Sequence, residues 1–156
     1  MDYNVGAAII AGLVATGVMT AMMYMGLAMM PKQMPMNILY MMGTMMSRSS
    51  GPAYMMGFMM HFGVGTVFAI IHTGLYQAFG LDSQLVLWGL LFGAAHWVVA
   101  SMGMGMMGSM HPLIRGGEMA APGPFLKNFP MMSVGGFLML HLVFGLIVGG
   151  LYEAIL

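Results

Sequence analysis

Charged residues are absent from four long stretches of the chain, and the few that occur are gathered between and beyond them. The uncharged stretches cover residues 5–30, 53–79, 85–107 and 131–151. Crossing the hydrocarbon core of a bilayer takes about 20 apolar residues in a helix, each advancing about 1.5 Å. Each stretch therefore predicts one membrane-spanning α-helix. Pro31, Pro52 and Pro130 fall just outside these spans or at a first turn, where a missing N–H costs least, and the Leu81-Asp82-Ser83 turn offers capping oxygens to the third helix. The first span follows Met1-Asp2-Tyr3-Asn4 without the basic leader of a secretory signal, so it is expected to be retained. Residues 36–46 are uncharged but too short to cross. They predict either an interfacial helix, with Ile38, Met41, Met42 and Met45 toward the acyl chains, or a re-entrant segment packed within the protein. Residues 112–124, rich in Pro and Gly, predict an irregular loop. The expected fold is an all-α polytopic membrane protein, a four-transmembrane-helix bundle forming one domain over residues 1–156.

Four spans put both termini and the 80–84 turn on one side and the two longer loops on the other. Lys32 and Arg48 lie in the first long loop and Arg115 and Lys127 in the second, so all four basic residues share a side. Positively charged loops are retained in the cytoplasm, which predicts that both termini are outside. Asp2, Asp82 and Glu153 then fall on the outer side, where Tyr3, Tyr76, Trp88 and Tyr152 also converge, as amphipathic rings do at a headgroup boundary.

Composition removes whole classes of function. Hydrophobic residues make up 60% of the chain and charged residues 5%, against about a quarter charged in a soluble domain. With a net charge of zero and no basic cluster, the electrostatic footprint of a nucleic-acid binder is missing. No cysteine occurs, which excludes disulfides and thiolate chemistry. No Walker A loop, G-x-S-x-G elbow or H-E-x-x-H helix is found, and the spans hold no paired carboxylates for a cation relay. No catalytic residue is assigned, and a non-enzymatic role is expected.

The two halves of the chain resemble each other. The second span carries Gly57-Phe58-Met59-Met60-His61 and ends on Gly74-Leu75-Tyr76, while the fourth carries Gly136-Phe137-Leu138-Met139-Leu140-His141 and ends on Gly150-Leu151-Tyr152. Duplication of a two-helix hairpin would explain this. Helices in lipid associate through small residues and interhelical hydrogen bonds, so inward faces can be read from stripes at helical spacing. These are Gly89, Gly93, His96, Ala100 and Gly103 on the third span; His61, Gly65, Phe68, His72 and Tyr76 on the second; and Leu138, His141, Gly145, Val148 and Tyr152 on the fourth. The stripes predict a left-handed bundle with its histidines inside.

An ionisable side chain within a span is a functional candidate by default. Counting turns from the basic side puts His61 about 12 Å deep, His141 about 15 Å and His96 about 17–20 Å, so these three imidazoles are expected to meet. By the same count His72 lies nearer the outer surface and His111 at the inner one. Methionine numbers 26 and is partitioned: apart from Met1, every one lies in 19–60 or 102–139. Two chemistries follow. Thioether and imidazole both suit Cu(I), which makes Met59, Met102 and Met106 with His61, His96 and His141 a candidate copper set. Flexible, polarisable Met also makes adaptable contact surfaces, which points to docking of another membrane subunit. A b-type haem held axially by His96 and His141, with Gly93, Ala100 and Gly145 admitting the ring, is a third reading; packing without any cofactor is the fourth.

The sequences Met59-Met60-His61-Phe62, Gly93-Ala94-Ala95-His96-Trp97, Met110-His111-Pro112 and Leu140-His141-Leu142-Val143 resemble a family of small bacterial four-helix integral membrane proteins that has no assigned activity. The resemblance spans nearly the whole chain. It implies four spans in a bacterial inner membrane, and the heavy methionine content departs from that family's pattern.

Overall fold

The computed structural model of the chain describes residues 3–156, so Asp2 lies outside the described residues. Six helices occur: α1 Val5–Met29, α2 Ile38–Gly43, α3 Ser50–Ala78, α4 Leu85–Met110, α5 Pro112–Arg115 and α6 Met131–Ile155, with a 3-10 turn at Pro124–Leu126 before α6. No strand is found among the described residues. α1, α3, α4 and α6 are each long and apolar enough to cross a membrane, the elements of a four-helix membrane bundle. They match the four uncharged stretches, because a segment without charges in lipid satisfies its backbone only by closing its hydrogen bonds internally. The largest difference in extent is at Glu153, where α6 continues to Ile155.

Each long helix contributes to two compact units. Unit 1 comprises residues 1–22, 62–97 and 138–156, and unit 2 comprises residues 23–61 and 98–137.

In unit 1 the helices meet through small residues. Ala8, Ala11 and Ala15 of α1 are fully buried, and a Cβ at Gly12 would strike Ala69 of α3. α4 and α6 come closest: a Cβ at Gly89 would run into the carbonyl of Gly145, one at Gly145 into the carbonyl of Gly89, and one at Gly149 into that of Leu85. This is backbone-to-backbone packing of the kind small residues permit in membranes. The chain ends and the short turn are tied together here. Tyr3 Oη donates to the Ile70 carbonyl (3.2 Å), the Asn4 N–H donates to Tyr152 Oη (3.0 Å), and the N–H groups of Gln84 and Leu85 donate to the Glu153 carboxylate (3.0 and 3.1 Å). The start of α4 is thus capped by Glu153, whereas the sequence offers Asp82 and Ser83, both of which are exposed.

Unit 2 holds both long loops. Arg48 and Glu118 pair across them at 3.0 Å, and Ser133 Oγ donates to the Gln33 carbonyl (2.8 Å), which puts the two loops on one side. Between them α2 takes the packed form of its two expected arrangements. Ile38, Leu39, Met41 and Gly43 are buried, so Ile38 and Met41 do not face the acyl chains. Its N-terminus is capped by Asn37, whose Oδ1 accepts from the Tyr40 N–H (3.1 Å) and from Tyr24 Oη (3.2 Å) while its Nδ2 donates to Tyr54 Oη (2.9 Å). Gly43 and Gly57 let α2 lie against α3 at backbone distance, facing Ala53 and Leu39 respectively. The Pro- and Gly-rich second loop is more ordered than its composition predicts, since it contains α5 and the 3-10 turn.

The inward stripes hold in most positions. Gly89, Gly93, His96, Gly65, His72, Tyr76, His141, Gly145, Val148 and Tyr152 are buried, and His61, Phe68, Ala100 and Leu138 half-buried. Gly103 is exposed and Ser101 buried instead, because α4 passes from unit 1 into unit 2 and meets new neighbours there.

Candidate functional site

The densest group of polar side chains within the spans lies in unit 1. His72 and Tyr76 are one helical turn apart on α3 and so share a face; His96 comes from α4 and His141 from α6. The imidazoles of His96 and His141 meet edge to face with ring centroids 4.7 Å apart, and those of His72 and His96 at 5.6 Å. Phe68 stacks on His96 at 3.7 Å, Phe144 sets its ring across both His72 (5.7 Å) and His96 (5.2 Å), and Phe92 touches His72 (6.0 Å) and stacks on Tyr76 (5.4 Å). The result is a polar centre with aromatic walls.

His72 is 2% exposed and Tyr76 0%. Among the described residues, neither ring nitrogen of His72 and not the Tyr76 hydroxyl has a hydrogen-bond partner. Nearly all buried polar groups in proteins are hydrogen-bonded, so three such atoms one turn apart mark a site.

Sequence reading anticipated a meeting of His61, His96 and His141. Within unit 1 the rings of His72, His96 and His141 are in contact; His61, half-buried, belongs to unit 2. His72 and Tyr76 are visible in the sequence as an i, i+4 polar pair on an inward stripe.

The six residues of the candidate copper set divide between the units: His96 and His141 in unit 1, and His61, Met59, Met102 and Met106 in unit 2. Met59, Met102 and Met106 are 62, 60 and 60% exposed, so their thioethers turn outward. No group of three or more His, Cys, Asp or Glu that could hold a metal ion occurs among the described residues. In the haem alternative the two rings lie closer than axial ligation requires. Two axial imidazoles bonded at about 2.0 Å to one metal keep their ring centroids about 6 Å apart, and those of His96 and His141 are already in contact at 4.7 Å. Gly93 and Gly145, expected to admit the ring, face the backbone of the neighbouring helix instead, at the His141 and Gly89 carbonyls.

His111 is fully buried in unit 2. Its Nδ1 accepts from the Leu113 N–H (3.2 Å), which caps α5 and puts the ring proton on Nε2, where it donates to the Met41 carbonyl (2.8 Å) with Thr44 Oγ1 beside it (3.2 Å). This ring is a structural latch between α2 and the second loop.

The outer surfaces of the two units differ in kind. The large exposed apolar side chains of unit 1 are mostly Val, Ile and Leu, with Met139 the one methionine among them; in unit 2 they are chiefly Met25, Met29, Met30, Met46, Met55, Met59, Met102, Met106, Met110, Met131 and Met132. Among the described methionines only Met19, Met22 and Met139 fall outside unit 2.

No protein-family model matches this chain, and neither a curated protein nor a solved structure matches it significantly.

Proposed function

We propose that this chain is a non-enzymatic integral membrane protein that serves as an accessory subunit of a larger membrane complex, docking on another membrane-spanning subunit through the methionine-lined surface of unit 2. One observation carries this reading. Exposed methionine crowds unit 2, while exposed Val, Ile and Leu cover unit 1. Lipid makes no demand for thioethers, since acyl chains are as apolar as leucine and reward both alike. An unbranched, polarisable side chain with three rotatable bonds has its advantage against an irregular protein surface, where it adjusts its shape to the partner. Four basic residues in the loops of unit 2 favour the cytoplasmic face for that surface and the outside for both termini, and the family resemblance favours a bacterial inner membrane.

The test replaces Met55, Met59, Met102, Met106 and Met131 together by leucine, which preserves volume and hydrophobicity. Native mass spectrometry of the protein extracted from its own membranes should give the mass of a defined hetero-complex for wild type and of the chain alone for the variant, with helix content unchanged. A wild-type chain that travels alone, or a leucine variant that keeps its partner, would remove the proposal.

A further inference from the structure

We infer that His72 and Tyr76, with His96 and His141 beside them, form an internal water-binding site within the membrane-spanning part of unit 1. The Tyr76 hydroxyl offers one donor and two acceptor positions and a neutral imidazole one of each. In His72 and Tyr76 all of these lack a protein partner among the described residues, at 2% and 0% exposure. In hydrocarbon no bulk water reaches such atoms, and an unpaired buried polar group is costly. A guest that both donates and accepts can pair with either kind of group, and water makes two to four hydrogen bonds of this kind in buried polar sites.

The surroundings limit the guest's size. Phe68 stacked on His96 at 3.7 Å and the His96–His141 contact at 4.7 Å close the site on one flank, and Phe92 stacked on Tyr76 at 5.4 Å on another. A quinone or other ring does not fit among these contacts. A Cβ at Gly89 would lie 3.2 Å from Tyr76 Oη and would strike the Gly145 carbonyl, so the close contact of α4 and α6 bounds the site beside the hydroxyl.

Hydroxyl-radical footprinting by X-ray radiolysis in oxygen-18 water, on the full chain in lipid nanodiscs, tests the site, because radicals formed at a bound water label the side chains around it. Tyr76 and Phe92 should label at least about tenfold faster than Phe137, a buried ring of unit 2, as expected beside an ordered water. Labelling no faster than at Phe137 overturns the inference. Thermal unfolding of Tyr76→Phe gives a second readout with opposite signs. If the hydroxyl is bonded to water, the melting temperature falls; if it is dry and unpaired, removing it leaves the temperature unchanged or raises it, and the site does not exist. His72→Phe, similar in shape but unable to hydrogen-bond, should abolish the fast labelling at Tyr76; its persistence would also count against the site.

Discussion

His111 and Glu153 each hold together segments that the chain itself keeps far apart. Replacing His111 by alanine leaves the Leu113 N–H and the Met41 carbonyl without this partner in a buried place. The variant is expected to lose about 2–4 kcal/mol of stability, measured by thermal unfolding in detergent micelles. His111→Asn, which keeps a capping acceptor for α5, should recover part of that loss; no recovery would show that the cap contributes little. Glu153 acts from the far end of the sequence on the first turn of α4. Glu153→Ala should cost about 1 kcal/mol, the usual effect of removing an N-terminal cap, and an unchanged melting temperature would contradict the capping role. The Arg48–Glu118 pair is exposed on both sides, and its removal is worth less than about 1 kcal/mol.

Among the elements, α4 and α6 form the contact with least tolerance. At Gly145 any side chain meets the Gly89 carbonyl, which is backbone and cannot swing away. Gly145→Val is expected to force the two helices apart at a cost of about 3 kcal/mol or more. Gly103 of α4 is the control: a Cβ there meets nothing within 4 Å, so Gly103→Ala should be neutral or slightly stabilising through helix propensity. Comparable losses in both variants, read by thermal unfolding, would mean that general helix properties and not this contact set the stability. The same close approach bears on the histidines. Because α4 and α6 touch at Gly89, Gly93 and Gly145, the imidazoles of His96 and His141 pack on one another.

For the whole molecule, each unit carries its own set of tethers. Tyr3, Asn4, Gln84, Leu85 and Glu153 are linked in unit 1, and the long loops are linked in unit 2. The chain has no cysteine, so single cysteines report cleanly. In intact cells a membrane-impermeant maleimide should label Asp82→Cys at once and Arg115→Cys only after permeabilisation. Labelling of position 115 from outside would reverse the orientation, and with it the side on which the methionine surface meets its partner.

Much of this was legible in the sequence, and the limits have physical causes. Spans, loops and inward stripes are one-dimensional properties: lipid excludes charge and unpaired backbone, which fixes where helices run, and the helical period fixes which residues share a face. Composition and position also showed the methionine partition. What the sequence left open concerns distance between helices. Whether α2 lies on the bilayer or packs inside, whether Glu153 or the local turn caps α4, and how closely the ring of His72 approaches that of His96 all depend on the axial offset between neighbouring helices. That offset is set by which glycine meets which carbonyl, a matter of three-dimensional packing at a resolution of one residue. Hydrophobic patterning along a single helix carries no information about it, so only the tertiary structure decided these points.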